Sequence, residues 1–194
     1  MSLSQALPLT TLVLCLSGPP AAQASAPSTT PAMKAMRDAY QKTGTPGAEH
    51  RKLASTAGTC DLSIKSWQTL GGEPTTDTGT ATRKLILGDR VMVEDVSSQL
   101  MGQPCNGQGL HGFDNVTGKY RATWMDSMST GLMVSDGSCD TALSCFFTGT
   151  FHDPVSRQPQ TARMTTPCAD KNTEVLEMNA PGPDGKEYRM TEIS

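Results

Sequence analysis

The sequence predicts an all-β protein, an antiparallel up-and-down β-barrel of about ten strands with a short N-terminal helix, and three observations carry that reading. Beyond Gly58 the chain is a series of short segments in which apolar and polar residues alternate, with turn signals roughly every 8–14 residues. No helical pattern separates those segments, so the crossover helices that parallel strands need are missing. Finally, 18 Gly and 13 Pro break the chain too often for a helical bundle, while 36% hydrophobic residues are too many for a disordered chain.

Residues 1–33 carry no Lys, Arg, Asp or Glu. Within them Leu7 to Leu16 is a mostly apolar run, followed by Gly18-Pro19-Pro20. Ala22-Gln23-Ala24 and Ala24-Ser25-Ala26 both fit the small-x-small rule of a signal-peptidase site. The run is shorter than the roughly 20 apolar residues that span a bilayer. Residues 1–24 therefore read as a signal peptide, with cleavage at 24 or 26, and the expected location is periplasmic or secreted. Residues 25–45 read as a flexible leader with weak helical character, Met33, Met36 and Tyr40 lying at helical spacing. Pro46 and Gly47 break it, and residues 46–194 form a single barrel domain that opens on a short helix from Ala48 to about Ala57.

The strands follow. Cys60, Leu62 and Ile64 alternate with Asp61, Ser63 and Lys65, and Thr75 to Leu87 is rich in Thr, which suits a strand. Gly88-Asp89 turns the chain into Arg90–Gln99. Cys105 to Phe113 is a strand in which Gly107, Gly109 and Gly112 suggest bends or bulges. Asp114 to Gly118 is a hairpin turn before Tyr120, Ala122, Trp124 and Asp126. Gly131–Cys139, Cys145–His152, Gln160–Thr166, Thr173–Asn179 and Lys186–Ile193 complete the set, with Asp184-Gly185 as a turn between the last two.

A net charge of −3 leaves no electrostatic footprint for nucleic acid. Once the signal peptide is gone five cysteines remain, Cys60, Cys105, Cys139, Cys145 and Cys168, of which an even subset pairs in an oxidising compartment. Cys139 and Cys145 flank a five-residue connection between two strands, where opposite residues come within disulfide reach.

PGAEHRKLASTAGTCDLS, TGTATRKLILGDRVMVEDV, MGQPCNGQGLHGFDNVTGKYRATWMDSMSTG and MNAPGPDGKEYRMTEI together resemble the bacterial domain-of-unknown-function family 1579, over about residues 38–194. The resemblance implies a barrel similar to the calycin group, which includes lipocalins and fatty-acid-binding proteins, and implies no particular activity. Two positions depart from the family pattern. Cys60 stands where similar sequences read Gly-Thr-Trp, and Cys168 stands where they commonly have Trp before the penultimate strand. Their joint replacement implies that the two positions touch, hence a Cys60–Cys168 disulfide, with Cys105 as the odd thiol.

The chemistry-bearing residues are scattered. His50 sits at a helix start, where it is either a ligand or cap over the barrel mouth or a surface or helix-terminal residue making local hydrogen bonds. His111 and His152 lie on strands beside polar neighbours and are expected to be exposed. No pair of ligands has zinc spacing, so no metal or other cofactor is called for. Glu94 and Asp95 point to opposite faces of one strand and cannot act as a pair. No nucleophile elbow or phosphate loop occurs. Methionine is the unusual feature: Met92, Met125, Met133, Met178 and Met190, with Trp124, could line an adaptable apolar cavity, or simply fill the core of an aromatic-poor protein. The leading reading is a non-catalytic binding module that holds a small hydrophobic molecule in the barrel. The alternatives are an enzyme that uses the cavity, an isomerase or hydrolase with an inward carboxylate, or a protein–protein interaction or structural module.

Overall fold

The structure, a computed structural model, describes residues 30–141, 144–154, 156–167, 172–182 and 185–194. The expected signal peptide and Cys168 lie outside the described residues. Helices α1 (Pro31–Thr43) and α2 (Ala48–Ala54) precede ten strands. These are β1 (Gly58–Ser66), β2 (Thr75–Ile86), β3 (Val91–Leu100), β4 (Gln103–Asp114), β5 (Lys119–Asp126), β6 (Met133–Cys139), β7 (Cys145–His152), β8 (Pro159–Thr166), β9 (Leu176–Pro181) and β10 (Glu187–Ile193). Each strand pairs antiparallel with its neighbours in sequence, and β10 returns to β1 to close the barrel.

Local chemistry sets the helix ends. The Thr30 hydroxyl accepts from the Met33 N–H and Pro31 occupies the first turn, so α1 is a full helix of 13 residues where the sequence suggested weak helical character. The second helix stops at Ala54, three residues short of the expected end, and its C-cap Ser55 donates its N–H to Arg51. The β4–β5 hairpin is organised by Asp114, whose carboxylate accepts from the Val116 N–H and the Thr117 hydroxyl. Gly118 completes that turn at φ 68°, a conformation that glycine adopts without strain.

Pairing register shows which side chains share the inner face. One cross-strand row runs Gly58, Arg83, Glu94, Gly109, Trp124 and Met133. A second runs Phe113, Tyr120, Gly137, Phe147, Met164, Met178, Thr191 and Ser66. Residues on these rows, together with Ile64, Ala81, Met92, Cys105, Ala162 and Ala180, contain nearly all the buried side chains, so this face is the interior. The outer face carries the ion pairs Lys65–Glu192, Lys84–Asp95, Arg121–Asp136 and Arg163–Glu187, as a water-facing surface does. Among the described residues no helix is long and apolar enough to cross a membrane.

The glycines of β4 correct the sequence reading. No bulge occurs there, because β4 pairs residue by residue with β3 and with β5. Gly107 and Gly109 instead make room for side chains inside. A Cβ on Gly107 would lie 2.3 Å from the Trp124 ring, and one on Gly109 would lie 2.8 Å from His111 Nε2. Gly137 does the same for the Phe147 ring, 2.5 Å from where its Cβ would be.

Candidate functional site

Alternation along β2, β3 and β4 turns Asp77, Arg83, Glu94 and His111 into the barrel, and the last three come together. Arg83 shares parity with Ala81 and Leu85, Glu94 with Met92 and Val96, and His111 with Gly109 and Phe113. Arg83 and Glu94 are direct cross-strand partners, and Gly109 faces Glu94 on its other side. His111 is two residues along β4, where it leans over Gly109 to reach the same carboxylate.

The contacts form one cluster. Arg83 Nε donates to Glu94 Oε1 at 2.6 Å, and Arg83 Nη1 donates to Glu174. His111 Nε2 lies 3.2 Å from Glu94 Oε2. Burial opposes ionisation of Glu94, but the His111 hydrogen bond and the Arg83 charge outweigh it and hold the carboxyl down at about 2. Burial likewise pulls on Arg83, and the charges of Glu94 and Glu174 more than offset it, raising the guanidinium further above its ordinary value. An ionised carboxylate only accepts, so His111 Nε2 carries the proton of this contact. Arg83 Nη2 and His111 Nδ1 have no hydrogen-bond partner among the described residues, and neither is sealed from solvent.

One end of the barrel is covered by α2. His50 is buried, accepts the Gly47 N–H on Nδ1 at 3.1 Å and meets the Phe113 ring edge-on at 5.9 Å. It is thus both a helix-terminal residue with a local hydrogen bond and part of the cover. The Tyr120 hydroxyl donates to Glu49 at 2.5 Å, and Tyr120 packs against Phe113 at 5.0 Å. That hydrogen bond, reinforced by Lys52, keeps Glu49 below its ordinary value, while burial and the carboxylate together push the Tyr120 phenol up.

Four of the six side chains singled out for ligand contact face the interior. Met92 is buried beside His111, and the Thr56 hydroxyl lies 3.5 Å from its sulfur. Trp124 and Met133 share the Arg83–Glu94 row, and Met178 lies on the Tyr120–Phe147 row. All three are only half-buried although they point inward, so accessible space adjoins them. Met190 is the extra residue at the β9–β10 register shift, and its carbonyl accepts the Trp67 N–H at 2.9 Å. Met125 corrects the expectation. Its neighbours Trp124 and Asp126 take the inward direction, so Met125 points out, 37% exposed. It helps line an open surface groove of about 590 Å³ with Thr80, Thr82, Asp95 and Gln108.

His111 is likewise not the exposed strand residue that the sequence suggested; it faces inward and is half-buried. Arg83 was not singled out at all. The signal was available in both cases, since strand parity places each with neighbouring core residues. Glu94 and Asp95 do split between the two faces: Asp95 meets Lys84 and Gln108 outside.

The cysteines divide as follows. Cys139 and Cys145 are directly opposite across β6 and β7 and are joined by a disulfide. Cys105 is a buried free thiol and Cys60 an exposed one. The other member of the expected Cys60–Cys168 bridge lies outside the described residues.

The model of the family described as "Protein of unknown function (DUF1579)" matches residues 45–194, most of the chain and all ten strands of the barrel. No curated protein matches the chain. The chain belongs to that family, and its closed antiparallel barrel is of the calycin-like kind.

Proposed function

We propose that this member of the DUF1579 family is a non-catalytic binding module that holds a small amphiphilic molecule in the barrel lumen. The apolar body would lie along Trp124, Met133, Phe147 and Met178, and the polar end would meet Arg83 Nη2 and His111 Nδ1. One observation carries this reading: inward apolar side chains that stay half-buried share the interior with the Arg83–Glu94–His111 cluster, in which Arg83 Nη2 and His111 Nδ1 are unused. Apolar walls with few, well-placed polar groups are the usual build of small-molecule sites. Methionine side chains suit such a wall because they re-pack around varied shapes.

The competing reading is an enzyme in which Glu94 and His111 act as a base and acid pair. A general base works best with a pKa near the operating pH. Glu94 is held at about 2 and is engaged on both oxygens, which favours a fixed charge over a proton acceptor. The disulfide agrees with an exported protein, since such bonds persist in oxidising compartments.

Native mass spectrometry of protein isolated from its own host tests the proposal. A retained small molecule, released on denaturation and present at one per chain, is the expected result. A chain of bare mass that also fails to bind any apolar fluorescent probe would overturn it.

A further inference from the structure

We propose that α1 is a surface anchor that lays its apolar face on an anionic lipid bilayer. The helix is 13 residues long and buries none of them. Met33, Met36 and Tyr40, spaced three and four residues apart, fall on one face and are 49%, 58% and 73% exposed. Ala32, Ala35 and Ala39 extend that face, and Lys34, Arg37, Asp38, Gln41 and Lys42 make up the opposite one. At about 100° per residue, Arg37 and Lys42 border the apolar arc on its two sides. Basic residues there can run their stems along the apolar surface and keep their charges at the headgroups.

Charge selects the occupant. Lys34 is paired within the helix to Asp38 at 2.7 Å, and Arg37 approaches the same carboxylate only at 4.0 Å. Lys34, Arg37 and Lys42 against Asp38 alone leave the helix positive, in a chain whose net charge is −3. An exposed amphipathic helix with basic borders and a few large apolar residues is the pattern that lies in a membrane interface. Asn115 ties the C-terminal end of α1 to the barrel, its Nδ2 donating to the carbonyls of Thr43 and Thr45 at 2.7 and 2.9 Å. Helix α2, by contrast, is fixed over the barrel by Glu49 and His50.

The test is co-sedimentation of the full chain with vesicles of phosphatidylglycerol and phosphatidylcholine, compared with vesicles of phosphatidylcholine alone. Binding to the anionic vesicles only, weakened by salt, is expected. Each basic residue near an anionic surface contributes about 1 kcal/mol, or roughly fivefold in partitioning, so Arg37→Gln with Lys42→Gln should lower binding by roughly 25-fold. Met36→Glu should lower it by tenfold or more. Both variants should keep the unfolding midpoint of the parent, since α1 buries nothing. No binding to anionic vesicles, or binding undiminished in these variants, overturns the proposal. So does a concentration-dependent dimer in analytical ultracentrifugation that Met36→Glu abolishes, because the face would then belong to a second copy.

Discussion

The two walls of the barrel are built differently. Strands β1 to β5 are 8–12 residues long and turn Asp77, Arg83, Glu94, His111 and Asp126 inward. Strands β6 to β10 are 6–8 residues long and turn no charged side chain inward; their interior is mostly apolar, with Met133, Phe147, Phe151, Met164, Leu176, Met178, Tyr188 and Ile193. The ladders differ too. β2 and β3 pair over eight positions and β3 and β4 over ten, whereas β8 and β9 pair over three. A buried ion pair persists only where the geometry is held, and the long ladders hold Arg83 opposite Glu94. The shorter wall has no charge to hold and gains a covalent tie, Cys139–Cys145, at the end of its first hairpin. One wall fixes interior charges and the other is apolar, the division that the proposed amphiphilic ligand would use.

Breaking the charged wall should give the largest effect. Arg83→Met leaves Glu94 buried without its main cation and should cost about 3–5 kcal/mol, read as a lower urea midpoint with little change in slope. Adding Glu94→Gln to that variant should recover much of the loss, because no uncompensated charge then remains.

Acid should act on the same wall. The Glu94 carboxyl is held at about 2, below its ordinary 4.5. A depressed folded-state value means the contribution is complete above about pH 5 and is lost as pH falls towards 2. The loss should reach about 2 kcal/mol at pH 3 and about 3 kcal/mol at pH 2, measured by urea unfolding at pH 7, 5, 3 and 2. The Glu94→Gln variant should lack that part of the acid limb.

The apolar wall should respond less. Reducing Cys139–Cys145 opens a loop with a sequence separation of six, and the chain-entropy model puts its worth at about 2 kcal/mol. Thermal unfolding with and without reductant, compared with the Cys139→Ser, Cys145→Ser variant, checks this.

Much of the barrel was legible because alternation and turn residues are local signals. Asp114 and Gly118 mark their hairpin unaided, and the Thr-rich β2 announces a strand. The interior chemistry was less legible for a physical reason. Parity tells which residues share a face, but the contact that matters, His111 leaning over Gly109 to Glu94, joins β4 to β3. Gly109 suggested a bulge when its role is to leave space for the ring. A methionine count does not distinguish the two faces of a strand, and the parity of Trp124 and Asp126 turns Met125 outward. Four of the six proposed lining residues still fall on the inner face, because aliphatic and aromatic strand residues are inward more often than not.

The most direct test of a ligand-holding lumen uses that inside–outside contrast in one titration. An environment-sensitive apolar fluorophore is titrated into the parent chain, into Met178→Glu and into Met125→Glu. Met178 faces the lumen and Met125 the outer groove, so the two substitutions place the same charge on opposite faces of the wall. The account predicts saturable binding at one probe per chain, weakened at least tenfold by Met178→Glu and unchanged within twofold by Met125→Glu. Equal weakening by both variants, or loss only with Met125→Glu, would contradict it and move the site to the outer groove.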